Sequence, residues 1–195
     1  DVVLRYLRVR VGDIKGPNGM PRVLGDQTHA LDLSGLNIVI DHCEFAYAND
    51  QLVNVYAQRG PESRTAVSFQ WNYVYGGLTT SVHEGGNHSH AYALAGWGGA
   101  SFHHNLTAFC LGRNPRVSGV TLDYRNNVLH YFWDSGYGDG TDDFLKLNYV
   151  ASVLEHGQRR EAFFDGMHFQ CGQFYAVDNV VRNCRLKTSA RILDV

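Results

Sequence analysis

At 195 residues, 44% hydrophobic and only 18% charged, the chain is long enough for one sizeable core and is globular rather than disordered in composition. A formal net charge of −2 and a pI near 6.6 exclude the basic field that drives nucleic-acid binding, so any polyanion must be held by local basic clusters. No apolar run approaches the roughly 18 residues that a spanning helix needs. The expectation is one soluble domain acting as a monomer, with neither nucleic acid nor membrane as a partner.

Asp1 to Val11 alternates Leu7, Val9 and Val11 with Arg8 and Arg10, which predicts a strand with a kink at Tyr6-Leu7. Gly12 to Thr28 carries Gly12, Gly16, Pro17, Gly19, Pro21 and Gly25 and reads as a loop. Two strands follow within Ala30 to Tyr47, separated at Ser34-Gly35, then one at Gln51 to Tyr56 and a strand pair over Thr65 to Tyr75. Gly76 to Gly99, rich in glycine and histidine, reads as an excursion. Trp97 to Phe132 holds two similar units, ASFHHNLT and LDYRNNVL, on either side of the basic turn Arg113-Asn114-Pro115-Arg116. Asp143 to Leu154 and His168 to Cys184 complete the strand-rich pattern. No segment shows a persuasive helical period. Cys43, Cys110, Cys171 and Cys184 form no CxxC pair, which argues against structural zinc, and only Cys171 and Cys184 are near enough in sequence to suggest a bridge.

An internal repeat organises these strands. An aromatic-x-x-asparagine element pairs Phe69 with Asn72, Phe102 with Asn105, Tyr124 with Asn127 and, less strictly, Ala176 with Asn179; Ile40 with Cys43 and Tyr149 with Ser152 are degenerate copies. The copies end at residues 43, 72, 105, 127, 152 and 179, in steps of 29, 33, 22, 25 and 27. A base step with loop insertions is what a solenoid of stacked strand coils gives, because each coil must set the same inward side chains above its neighbour's. Repeated asparagines at one corner would hydrogen-bond along the stack and tolerate unusual dihedrals. The competing arrangement is a β-sandwich with a shared alternation.

NIVIDHCEF, VSFQWNYVY, SFHHNLTA followed by GRNPRVSG, and LDYRNNVLHYF resemble in order and content the core segments of pectate lyases, and DVVLRYLRVRVGD and HALDL resemble that family's earlier coils. The resemblance runs from Asp1 to about Asn148. It implies an all-β, right-handed parallel β-helix with loop excursions, spanning 1–195 as a single domain, which is expected either to be a fragment or to lack the N-terminal coils. It also implies a secreted, extracellular or periplasmic polysaccharide lyase that cleaves pectate or a similar uronan by β-elimination.

Such a reaction needs cations to neutralise the uronate carboxylate and a base within reach of the adjacent proton. By residue chemistry alone Arg113 is a carboxylate clamp, since a guanidinium is rarely neutral. The resemblance makes it the proton-abstracting arginine of an R-x-P turn. The family's second arginine falls at Ser118, with Arg116 as the nearest substitute. Its calcium ligands fall at His29, a poor oxygen-site ligand, and at Asp50 and Asn54, so calcium is expected to bind weakly at Asp50 and Asn54 or only with substrate carboxylates completing the site. No lysine stands where the family supplies one to the groove; His83, His88 and His90 are read as substrate donors there, with a zinc or copper site as the rival. Of His103 and His104, one is expected to point inward and the other outward, and Asp41 with His42 reads as a packing pair. The alternative to a lyase is a non-catalytic β-helical carbohydrate-binding protein; a hydrolase would need paired carboxylates, for which Asp142-Asp143 and His156-Gly157 are the faint candidates.

Overall fold

The structure is a computed structural model that describes residues 1–12, 27–56, 64–81, 83, 85–86, 88–133, 137–138, 146–156 and 173–183. Nineteen strands, numbered in chain order, make up its regular structure, and no helix occurs among the described residues. They sort into three sheets. The first holds β1 (Val2–Arg5), β4 (Ile38–Asp41), β7 (Arg64–Gln70), β10 (Trp97–His103), β13 (Thr121–Arg125), β16 (Lys146–Val150) and β18 (Gln173–Val177). The second holds β2 (Arg8–Arg10), β5 (Glu44–Ala46), β8 (Tyr73–Tyr75), β11 (Leu106–Ala108), β14 (Val128–Phe132), β17 (Val153–His156) and β19 (Val180–Arg182). The third holds β3 (Leu31–Leu33), β6 (Gln51–Tyr56), β9 (His90–Ala95), β12 (Arg116–Ser118) and β15 (Tyr137–Gly138).

Every ladder is parallel, and neighbours in a sheet come from consecutive coils. This is a parallel β-helix, as the repeat and the resemblance both imply. Register is set by what faces inward. Ile40, Phe69, Phe102, Tyr124, Tyr149 and Ala176 pair in one row. Within it the Phe69 and Phe102 rings stack at 4.9 Å, and those of Tyr124 and Tyr149 at 4.7 Å. A one-residue slip would turn this whole row outward, at about 1.5–3 kcal/mol per lost side chain. Tyr92, from β9, closes the core from the third sheet; its buried hydroxyl meets Thr107 Oγ1 at 2.6 Å.

The corner between the first and second sheets repeats most strictly. Tyr6, His42, Trp71, His104, Asn126, Ala151 and Asp178 each take a left-handed backbone conformation, φ between 48° and 58°. The next residue in each coil then builds a ladder. Asn72 Oδ1 accepts from Cys43 N–H at 2.8 Å, Asn105 Oδ1 from Asn72 N–H at 2.9 Å and Asn127 Oδ1 from Asn105 N–H at 2.9 Å. Ser152 Oγ and Asn179 Oδ1 continue the series. The amide nitrogens donate to the carbonyls of Ile40, Phe69, Phe102 and Tyr149. Asparagine suits this place because one amide both accepts and donates, so the turn leaves no buried backbone group unpaired.

Four expectations need correction. NIVIDHCEFAY is two strands, β4 and β5, because His42 turns the chain there. Gly76 to Gly99 is not wholly an excursion, since β9 within it is a buried strand and β10 begins at Trp97; its alanines conceal the alternation. Neither His103 nor His104 points into the core. Both are half-buried, and His104 stacks on Trp71 at 4.4 Å. His156 is a core residue against Phe132 rather than a hydrolase candidate. Asp41 does pack against its neighbours, accepting from Arg5 at 2.6 Å and lying 2.7 Å from His42 Nδ1. Late in the chain β18 and β19 add a further coil. Cys43 and Cys110 are buried free thiols; Cys171, Cys184, Asp142 and Asp143 lie outside the described residues.

Candidate functional site

A second corner, at the entrance to the third sheet, does not repeat. Coils that stack at about 4.8 Å each deliver one chain segment to it. His29 arrives just before β3, Asp50 just before β6, the His88-Ser89-His90 segment at the start of β9, and Arg113 just before β12. Residues spaced 21 or more apart in sequence thus meet on adjacent turns.

Backbone bonds hold these segments. Asp50 N–H donates to Thr28 O, and His90 N–H to Asp50 O. Ser89, fully buried between two histidines, donates through Oγ to Gly77 O at 2.7 Å and accepts at its carbonyl from Gly112 N–H. Gly77 makes this possible, since a Cβ there would lie 2.6 Å from Ser89 Oγ and 3.2 Å from its Cα. Arg113 takes a left-handed conformation, φ 55°, and its carbonyl accepts from Tyr92 N–H at 2.8 Å. The neighbouring Asn114 is fully buried and donates to Cys110 O, so the turn that carries Arg113 is tied into the core.

Asp50 is the centre. Its carboxylate is 8% exposed and faces nitrogen on several sides. Oδ2 lies 3.3 Å from His29 Nε2, while the other His29 nitrogen reaches Asp32 Oδ2 at 3.4 Å. Around Oδ1 stand His88 Nε2 at 3.1 Å, Arg113 Nη1 at 3.8 Å, and His83 Nε2 and His90 Nδ1 at 4.0 Å each. The His83 and His88 rings stack at 4.0 Å, and His90 meets His88 edge-on at 4.0 Å. At this corner three buried atoms, His83 Nε2, His90 Nδ1 and Arg113 Nε, have no hydrogen-bond partner, and Asp50 Oδ1 has only the His88 contact. Leaving a buried polar atom unpaired costs on the order of 1–3 kcal/mol, so their concentration in one place marks a ligand site rather than a packing site.

The protonation pattern follows from the same arrangement. Burial alone would raise the Asp50 carboxyl, but the His29 hydrogen bond and the charges of His88, His29 and Arg113 outweigh it and hold it below the usual range. Burial likewise opposes charge on His29, yet Asp50 and Asp32 raise it. His88 is lowered by burial and by His83, and His90 is lowered to about 3 by burial, Arg113 and His88. The site therefore presents one ionised carboxylate, a guanidinium, and neutral imidazoles at His88 and His90.

Of the residues singled out in the sequence, the structure brings Asp50, His83, His88, His90 and Arg113 together. Asn54 is not turned to Asp50. Its amide donates to Asp32 Oδ1 at 3.0 Å, on a ladder row that continues through Ala93 to Arg116. Arg116 therefore stands on the row beside the cluster, and Ser118 further along the same strand. Calcium, expected at Asp50 and Asn54, does not fit this donor set: it takes six to eight oxygens, and Asp50 Oδ1 is ringed by nitrogen. Sequence reasoning set His29 aside as a poor calcium ligand and missed Ser89. His29 does have a legible signal, its place in HALDL at the head of a coil.

No family model and no curated protein matches the chain. Function is therefore argued from the site itself.

Proposed function

We propose that this protein is a polysaccharide lyase that cleaves a pectate-like uronan by β-elimination at the Asp50–Arg113 corner. The observation that carries the reading is the placement of Arg113. Its guanidinium is 15% exposed, has an unpartnered Nε, and sits among imidazoles that outnumber the one carboxylate they face. A pocket with more donors than acceptors suits an anion, and a uronate carboxylate accepts the paired hydrogen bonds that arginine offers.

In the reaction the substrate carboxylate is held by Arg116 and the imidazole cluster of His83, His88 and His90. Neutralising it stabilises the enolate-like charge that develops when the neighbouring C5 loses its proton. The C5–H bond breaks as Arg113 accepts the proton. The electron pair forms the C4–C5 double bond, the C4–O bond breaks, and the departing glycosidic oxygen takes a proton from solvent water. Arg113 can serve as the base only in its neutral form, because a guanidinium has no lone pair free to take the proton. The setting in this reading is extracellular or periplasmic, where such polymers occur.

The test is incubation with polygalacturonate while ultraviolet absorbance of the unsaturated product is followed. Absorbance that Arg113→Ala abolishes supports the reading. New reducing ends without absorbance mean hydrolysis, and absorbance that survives Arg113→Ala removes Arg113 as the base.

A second reading, a non-catalytic carbohydrate-binding β-helix, has its own observation. Tyr6, His42, Trp71 and His104 stack along the opposite corner with ring separations of 5.5, 6.2 and 4.4 Å, and Tyr6 and Trp71 are exposed. They border a shallow groove of about 480 Å³ that also includes Arg8, Glu44 and Tyr73. Such a ledge offers aromatic faces to sugar rings. Retained binding with neither absorbance nor new reducing ends would favour it.

A further inference from the structure

We propose that Asp50, His83 and His88, with His90 beside them, form a binding site for a borderline divalent transition ion of the zinc class. The inference concerns the same corner but does not rest on the lyase reading, because it is decided without polysaccharide.

Geometry carries it. Ligands held about 2.0–2.2 Å from one ion lie roughly 3–4.4 Å from one another. The distances from Asp50 Oδ1 to His88 Nε2, His83 Nε2 and His90 Nδ1, 3.1, 4.0 and 4.0 Å, fall in that range. The candidate ligand atoms of Asp50, His83 and His88 are all within 4.8 Å of one another. A plain cluster of hydrogen-bonded histidines and carboxylate would satisfy these atoms mutually. Here only His88 Nε2, at 3.1 Å, is close to Asp50 Oδ1, while His83 Nε2 and His90 Nδ1, on side chains that are 5% and 18% exposed, stand 4.0 Å from it with no hydrogen-bond partner.

The surroundings suit a ligand set as well. His29 holds the other oxygen of Asp50 and is itself oriented by Asp32, the outer support that fixes a metal-binding carboxylate. The parallel stack of His83 and His88, 11° between planes, is unfavourable for two imidazolium rings and favourable for neutral ones, the form that binds metal. Three imidazoles and one carboxylate select zinc, cobalt or copper over calcium.

Two neighbours shape the binding. Gly85 N–H donates to His83 Nδ1 at 2.9 Å, which leaves the His83 proton on Nε2. Ligation through that nitrogen moves the His83 proton to Nδ1 and gives up the Gly85 bond, a cost that the Asp50, His83 and His88 set must offset. Arg113 competes with the ion for Asp50 from 3.8 Å.

The experiment is titration of the full chain, freed of metal by chelator, with Co²⁺, read by its visible ligand-field absorption. Expected is saturation at a single ion per chain, displacement by Zn²⁺ and indifference to excess Ca²⁺. Asp50→Asn and His88→Gln should each weaken Co²⁺ binding by at least about tenfold with unchanged far-ultraviolet circular dichroism. Arg113→Ala should tighten it, and His130→Gln, on an exposed histidine that faces Glu155, should leave it alone. Absence of the absorption, displacement by Ca²⁺, or unchanged binding in both Asp50→Asn and His88→Gln overturns the proposal. Metal binding in an unaltered protein that gives no unsaturated product from polygalacturonate would count against the lyase reading alone.

Discussion

The two polar corners of this solenoid obey opposite rules. At the first, successive coils repeat one solution: a left-handed residue followed, from Trp71 onward, by an asparagine or serine whose side chain bonds the neighbouring coil. At the second, each coil brings something different, His29, Asp50, His88 with His90, then Arg113, and several of their atoms are unpaired. A stack gains stability from repetition, since nearest-neighbour terms add along it. Where repetition is abandoned and buried polar atoms go unsatisfied, stability has been given up locally, as expected of a functional site.

That contrast can be broken by mutation, the largest effect coming from the repeating corner. Asn105→Ala strands Asn72 N–H and Phe69 C=O inside the turn. It should destabilise the fold by about 3 kcal/mol, read as a lower urea midpoint. Next, Arg113→Ala should lower uronan cleavage by roughly a hundredfold or more, about 2.7 kcal/mol of barrier, with little change in that midpoint. Arg113→Lys should not restore it, because a point charge does not reproduce the planar fork.

Asp50→Asn sharpens the comparison from the other side. It should cost less stability than Asn105→Ala, because the asparagine keeps an oxygen for His29 and strands no backbone group. A loss as large as that of Asn105→Ala would make this corner a scaffold too. The smallest effect is a pH dependence at Asp41. Burial opposes ionisation there, but hydrogen bonds from His42, Gln70 and Arg5 lower its pKa below the ordinary 3.8. The folded state then binds fewer protons than the unfolded one. The stabilisation is present above that value and fades as pH falls through the folded pKa. Urea midpoints of the protein and of Asp41→Asn should accordingly differ near neutrality and converge as the solution is made strongly acidic.

How far each corner was legible in the sequence follows from this difference. The ladder positions were readable at residues 43, 72, 105, 127, 152 and 179 because the same chemistry recurs, even where serine or cysteine replaces asparagine. Strand β9 was hidden because Ala91, Ala93 and Ala95 dilute its alternation, although Tyr92 and Leu94 beside them are core residues. Arg113 and the three histidines could be singled out by type and place, yet nothing local tied them to Asp50, and the resemblance paired Asp50 with Asn54, whose amide donates instead to Asp32.

The repeat by itself pointed to stacked coils, because every coil must bury the same row of side chains, and the resemblance favoured that stack over a sandwich. Only the tertiary structure decided what gathers at the third sheet. Stacking converts a sequence separation of 21 residues between His29 and Asp50 into one interstrand step, and the loop lengths that set which residues arrive there follow no period. The convergence of imidazoles and Arg113 on one buried oxygen is therefore a property of the stack.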